Sequence, residues 1–228
     1  MRILAIETAT SLGSVALLDG EEVVREIAER VPQRHLEWLT PAIAGVLDAS
    51  GWRPEDVQGV VVSRGPGAFT GLRIGIATAA AWAYARSVPV AGVSTLEVLA
   101  VGTAALGTAG LICPLLDARR GELAFALFEA GRAVSRLLDD TVGSVSEVLD
   151  RVPDGVPVAF TGDGVPRIVD AIRGRPEWRS APETAWYPRA AFTGVVGLRR
   201  LARGDSDEPH LLRPVYARPA GITPAPGA

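Results

Sequence analysis

The sequence predicts an α/β protein built as two tandem lobes, and three features of the chain predict it. Each half opens with short apolar strands separated by tight turns, each then passes into alternating strand and helix, and a small-residue stretch from Gly102 to Gly110 separates the two. That division places one lobe at residues 1–106, a second at 107–218, and a tail of small residues and prolines at 219–228 that is expected to be disordered. The duplication is one of architecture, with no convincing sequence repeat beneath it.

The elements follow in order from local patterns. Arg2 to Glu7 reads as a strand, Thr8 to Gly13 as a small polar turn, and Ser14 to Leu18 as a second strand. Asp19-Gly20 closes a hairpin onto a third strand, Glu22 to Ala28, which completes an antiparallel meander. From His35 to Ala49, Leu36, Leu39, Ile43, Val46 and Leu47 recur at helical spacing, with Pro41 as a kink or a late start and Gly51 as the stop. The β-branched run Val57 to Val62 suits a strand buried on both faces. A glycine-rich loop, Ser63 to Gly71, leads into an alanine-rich helix ending near Arg86. Val88 to Val93 is a further strand, and Ser94 with Glu97 has the spacing of a helix capping box.

The second half repeats this logic. Strands are expected at Leu111 to Leu116 and Glu122 to Phe128 about an Asp117–Gly121 turn, then at Ala133 to Leu138 after a turn at Gly131. A short helix from Ser144, a strand Val156 to Thr161 and a helix from Val165 follow. Gly174 to Pro188, rich in arginine, reads as a surface loop, and Ala190 to Arg203 as an amphipathic helix.

Composition excludes several chemistries. All 23 cationic side chains are arginine, so a P-loop lysine, a Schiff-base lysine and a kinase lysine are absent, and the lack of asparagine removes any N-glycosylation sequon. Cys113 is the single cysteine, which rules out a disulfide framework or a multi-cysteine zinc site. His35 and His210, the two histidines, have no companion ligands at usable spacing, so no metal site is expected. The net charge of −3 supplies no basic field for nucleic acid. The start of the sequence has no charged-then-apolar leader and no apolar run near ~18 residues occurs, so a cytoplasmic protein without a membrane partner is expected.

The segments that could carry chemistry are few. The loop Arg64-Gly65-Pro66-Gly67-Ala68-Phe69-Thr70-Gly71-Leu72-Arg73-Ile74-Gly75 could present backbone N–H groups to an anion at the helix start, or be a structural turn that packs Phe69 inward. Glu7 and Thr8 in the first hairpin and Asp117 in the second could grip phosphate and Mg²⁺, or stand as ordinary turns with solvated carboxylates. Arg119 and Arg120 could pair with phosphate or a partner's carboxylates, or be a charged turn. Trp82 and Tyr84, among alanines, read as core, and Cys113 as a buried small hydrophobe.

The order of strands and helices resembles the paired ribonuclease-H-like lobes of the actin, Hsp70 and sugar-kinase superfamily. Gly65-Pro66-Gly67 with Phe69-Thr70-Gly71-Leu72-Arg73-Ile74-Gly75 closely resembles the signature of the TsaB family, also called YeaZ. Ile6-Glu7-Thr8-Ala9-Thr10, Gly92-Val93-Ser94-Thr95-Leu96-Glu97, Asp117-Ala118-Arg119-Arg120-Gly121-Glu122 and Pro214-Val215-Tyr216 resemble further islands of that family. The resemblance implies a subunit with no active site of its own in tRNA N6-adenosine threonylcarbamoyltransferase assembly. Its partners would be the catalytic paralogue TsaD and the ATPase TsaE, with tRNA reached only through the complex and a homodimer when alone. No intrinsic cofactor is implied, and ATP or ADP with Mg²⁺ is kept as a candidate at a subunit interface. Where TsaD carries two metal-binding histidines, this chain has Thr95 and Leu99. The family's first-lobe helices form its dimer contact, which makes His35, Leu36, Leu39 and Ile43 on one helix, with Ile76, Ala79, Ala80 and Ala83 on the next, the candidate interface; core packing is the other reading. Two alternatives stand beside the subunit: a free-standing nucleotide-dependent phosphotransferase or ATPase using Glu7 and Asp117 around Mg²⁺, and a purely homodimeric structural protein.

Overall fold

A computed structural model describes residues 1–216, and the 219–228 tail expected to be disordered lies outside the described residues. The first sheet is made of β1 (Arg2–Glu7), β2 (Leu12–Asp19), β3 (Glu22–Arg30), β4 (Gly59–Gly65) and β5 (Val90–Ser94), in the order β3-β2-β1-β4-β5. β1 runs antiparallel to β2 and parallel to β4, with Leu4 opposite Leu17 on one side and Val60 on the other. The second sheet holds β6 (Gly110–Arg119), β7 (Glu122–Ala130), β8 (Val134–Ser144), β9 (Val158–Thr161) and β10 (Trp178–Ser180), in the order β10-β9-β6-β7-β8. Read from its other edge, this is the strand order of the first sheet. The two ribonuclease-H-like lobes expected from the sequence are therefore present.

Alternation along the central strands decides which helix covers which face. Leu4 and Ile6 of β1 point into a core with Leu39, Ile43, Val46 and Leu47 of α1 (His35–Ser50) and Ile76, Ala79 and Ala83 of α2 (Phe69–Arg86). Ile3 and Ala5 point the other way, onto Val98 and Val101 of α3 (Thr95–Ala104) and Val196, Leu198 and Leu201 of α6 (Ala190–Leu201). α3 is shared: Leu96, Leu99 and Ala100 pack on Ile112, Ala124 and Phe128 of the second sheet. Beyond that sheet lie α4 (Val145–Arg151), whose Val148 is buried, and α5 (Val169–Arg173), which contributes Ile172.

Several elements differ from the sequence expectation. Pro41 sits inside α1 without ending it, because the apolar face continues to Leu47 and buries against the sheet. The glycine-rich loop is shorter than expected, since β4 runs through Gly65 and α2 begins at Phe69. Ser94 caps α3 by accepting from the Glu97 N–H at 3.3 Å, whereas the Glu97 carboxylate pairs with Arg136 instead of closing the box. The Gly174–Pro188 stretch is not simply a surface loop: it holds β10, and Trp178 is buried against Phe160 with ring centroids 4.9 Å apart. Chain order and sheet membership part company after Pro188. α6 returns to the first sheet so closely that a Cβ on Gly197 would stand 2.1 Å from Val61 Cγ1.

The segment after α6 stays on the first lobe. The Asp207 N–H donates to Val90 O at 2.8 Å, Leu212 enters the first core, and the Val215 N–H donates to Arg64 O at 2.6 Å.

Candidate functional site

The signature loop closes one side of a cleft of about 700 Å³ between the lobes. Ala9 to Ser11, Pro66 to Gly71 and His35 line it from the first lobe, Leu116 to Arg119 and Asp163 from the second, and Tyr216 stands at its side. The three loop glycines serve the chain's own backbone. A Cβ at Gly65, where φ is +121°, would lie 2.1 Å from Val215 O, one at Gly67 2.5 Å from Ala9 O, and one at Gly71 2.1 Å from Thr8 O. The Ala68 N–H donates to Ala9 O at 2.7 Å, so this donor at the helix start is already used.

Phe69 does not pack inward. It is 46% exposed, stacked on Tyr216 with centroids 4.9 Å apart, and covered by the Arg73 guanidinium 4.4 Å from its ring centre. Thr70, beside it, is exposed as well. The expected inward anchor is instead Leu72, fully buried one turn along.

Glu7 is neither a solvated carboxylate nor a free metal ligand. It is fully buried, and its Oε1 accepts the Ala9 N–H at 2.9 Å. Its Oε2 accepts the Ser63 hydroxyl and, at 3.0 Å, the Thr193 hydroxyl of α6. Burial raises its pKa above the ordinary carboxylate value, and those three hydrogen bonds oppose the rise. Thr8 is buried as well, its hydroxyl donating to Gly71 O at 2.9 Å. Sequence reasoning missed Ser63 and Thr193, which come from distant positions and meet only across the sheet.

On the far wall, the Asp117 carboxylate accepts the Arg119 N–H at 2.9 Å and lies 3.4 Å from the Arg167 guanidinium, while the Asp117 N–H donates to Asp163 at 3.0 Å. Burial raises the Asp163 pKa. Arg119 and Arg120 both take positive φ, 68° and 52°, and are exposed at the hairpin tip. His35 is buried, and burial lowers its pKa below the ordinary imidazole value, so it is neutral at pH 7. Among the described residues no group of three or more His, Cys, Asp and Glu side chains could hold a metal ion.

Most of the candidate interface belongs to the core. His35, Leu39, Ile43, Ile76, Ala79 and Ala83 are buried within this chain, because the face chosen by apolar spacing is the face that each helix lays on its own sheet. Leu36 is 73% exposed and Ala80 half-buried. Trp82 packs on the first core, but Tyr84 is 82% exposed, on the opposite side of the helix from the sheet.

A family model described as "TsaD: tRNA N6-adenosine threonylcarbamoyltransferase" matches residues 23–165. The tRNA threonylcarbamoyladenosine biosynthesis protein TsaB of Bacillus subtilis is 36% identical over 129 residues, or 57% of this chain; that span is about half of the relative's length, 56%. YeaZ from Pseudomonas aeruginosa superposes with a TM-score of 0.83 at 28% identity, covering 94% of this chain and 99% of that one. Component A of (R)-2-hydroxyglutaryl-CoA dehydratase from Acidaminococcus fermentans shares the fold alone, with a TM-score of 0.54 and 11% identity over 89% of this chain and 99% of that one. With the family model spanning more than half of it, the chain belongs to the tRNA N6-adenosine threonylcarbamoyltransferase family, and its kinship within that family is with TsaB and YeaZ.

Proposed function

We propose that this chain works in tRNA threonylcarbamoyladenosine biosynthesis as an accessory subunit. On this reading it binds a TsaD-type catalytic subunit and holds it in the state that transfers threonylcarbamoyl from threonylcarbamoyl-adenylate to N6 of the adenosine beside the anticodon. A TsaE-type ATPase is the third member, and the chain pairs with itself when its partner is missing. The observation that carries the reading is the outward face of α1 and α2. Leu36, Pro41 and Ala44 on the first helix and Ala77, Ala81 and Tyr84 on the second are exposed, with Pro41 and Ala44, and Ala77, Ala81 and Tyr84, at helical spacing, next to a core that already occupies the inward faces. The positions that match the TsaD metal histidines support it too: Thr95 and Leu99 are both buried in α3.

A nucleotide fits better at a junction with a partner than in this chain alone. Asp117 and Asp163 place carboxylates in the interlobe cleft, the chain has no lysine, and the loop glycines face their own backbone. The same features weigh against a free-standing phosphotransferase using Glu7.

The test is gel filtration with light scattering on this chain alone and mixed with the TsaD of the same organism, with and without ATP and TsaE. A heterodimer is expected, and Ala81→Arg should abolish it while leaving the melting temperature in place. If the two proteins never co-elute at micromolar concentration under any of these conditions, the accessory-subunit reading fails.

A further inference from the structure

A second cleft, of about 960 Å³, opens at the carboxyl ends of β4 and β5, between α6 on one side and β8 on the other. The crevice beyond the carboxyl ends of parallel strands is where open α/β sheets take ligands. Five guanidinium groups line it, from Arg64, Arg136, Arg199, Arg200 and Arg203, in a chain whose net charge is −3. Three carboxylates, those of Glu97, Asp139 and Asp140, share the walls with them, so what matters is which guanidinium groups are left unpaired.

Two of the five are already neutralised. Arg200 is clamped by Asp205 at 2.8 Å and Asp207 at 3.0 Å and donates to Gly92 O, so it braces the edge of β5. Arg136 is held by Asp140 and by Glu97, 3.4 Å away. These pairs also use up the two wall carboxylates Glu97 and Asp140, leaving Asp139.

The other three are available. Among the described residues Arg64 and Arg203 make no ion pair, and the acid that both stabilise, Asp205, is committed to Arg200. Among the described residues Arg199 pairs only with Glu21 at 3.8 Å, with both side chains well exposed, a contact that solvent screens. Arg199 lies in the last turn of α6, and Arg203 follows in the turn just beyond the helix end at Leu201. Arg64 is fixed at its root, because its carbonyl accepts the Val215 N–H and its side chain lies along Gly92, where a Cβ would be 3.0 Å from Arg64 Cδ.

We propose that Arg64, Arg199 and Arg203 form a phosphate grip for the backbone of an RNA strand. The guanidinium fork matches a phosphate with two parallel N–H donors, and three forks around one cleft can follow successive phosphates. Among the described residues the walls carry no aromatic ring; beside the charged groups they hold aliphatic side chains such as Val134, Val196 and Val215, which offer no stacking surface for a base. That favours a backbone over a free nucleotide. The choice of RNA over another phosphodiester rests on the proposed function, whereas the phosphate chemistry does not. This proposal departs from the sequence expectation that tRNA is reached only through partner subunits.

The test is fluorescence anisotropy of labelled, transcribed tRNA with the full chain, across a series of salt concentrations and without TsaD. Arg199→Gln/Arg203→Gln should lower the slope of log K against log salt by about 1.4–1.8, on the order of 0.7–0.9 per lost phosphate contact. Arg64→Gln should lower it further, and Arg173→Gln/Arg179→Gln on the second lobe should leave it unchanged. Circular dichroism melts confirm that each variant is folded. Equal slopes for wild type and the cleft variants, no binding at low salt, or displacement of the tRNA by micromolar AMP or ATP would each overturn the proposal. A chain that co-elutes with TsaD yet fails here leaves the accessory-subunit reading standing and removes only the RNA grip.

Discussion

Thr8 and Gly71 are locked together: the Thr8 hydroxyl donates to Gly71 O at 2.9 Å, and a Cβ on Gly71 would stand 2.1 Å from Thr8 O. This contact joins the turn after β1 to the first turn of α2, so two of the most recognisable stretches of the sequence are halves of one joint. The joint forms one wall of the interlobe cleft and fixes where Phe69 and Arg73 emerge.

Gly71→Ala is therefore expected to destabilise the chain by about 1–3 kcal/mol, because the obstacle is backbone rather than a side chain that can swing away. Gly131→Ala, with nothing within 4 Å of its Cβ position, should stay within about 0.5 kcal/mol of wild type. Urea denaturation measures both, and equal midpoints would show that the joint yields.

Ile43→Arg and Ala81→Arg should separate core from surface. Ile43 lies in the first core, so a guanidinium there is expected to cost about 3–5 kcal/mol, as an unpaired buried charge does. Ala81 is exposed, and arginine there should change stability little while blocking the partner. Thermal melts run beside gel filtration read the two effects independently.

Glu7 predicts a pH dependence with a definite sign. Its folded-state pKa is raised above 4.5 by burial, so the stability it contributes is full below that ordinary value and is lost as pH rises through the folded pKa. Relative to Glu7→Gln, the wild type should fare best at acid pH and lose ground as pH rises. Urea midpoints of both proteins over a pH series check this, and a constant difference would contradict it.

Cys113 should be inert to thiol reagents in the folded chain. It is fully buried in β6, and burial pushes its thiol far above the ordinary range, so little thiolate forms. Labelling by a chromogenic disulfide is expected only at the rate of unfolding, and fast labelling of native protein would refute the prediction.

The kinship with TsaB and YeaZ was legible from motif islands, and the lobes from strand periodicity. Turn residues at Asp19-Gly20 and Gly121, with apolar alternation around them, are local signals that survive in any tertiary context. Burial of the candidate interface residues within the chain was less legible. Apolar spacing at Leu39, Ile43, Ile76 and Ala79 marks the stripe a helix buries, and nothing local distinguishes burial on its own sheet from burial on another subunit.

By itself, the sequence determined the two sheets, most helices, the absence of lysine chemistry and the kinship of the signature loop, since these depend on residue type and short-range spacing. Only the tertiary structure decided that Glu7 would be buried between Ser63 and Thr193, that α6 would return to the first sheet, and that Arg64 would meet Arg199 and Arg203 in one cleft. Those relationships join residues far apart in the chain, 56 positions for Glu7 and Ser63 and 186 for Glu7 and Thr193. They arise because α6 buries its apolar face on the side of the first sheet that Ile3, Ala5 and Val61 present, and that packing carries the attached polar groups into place.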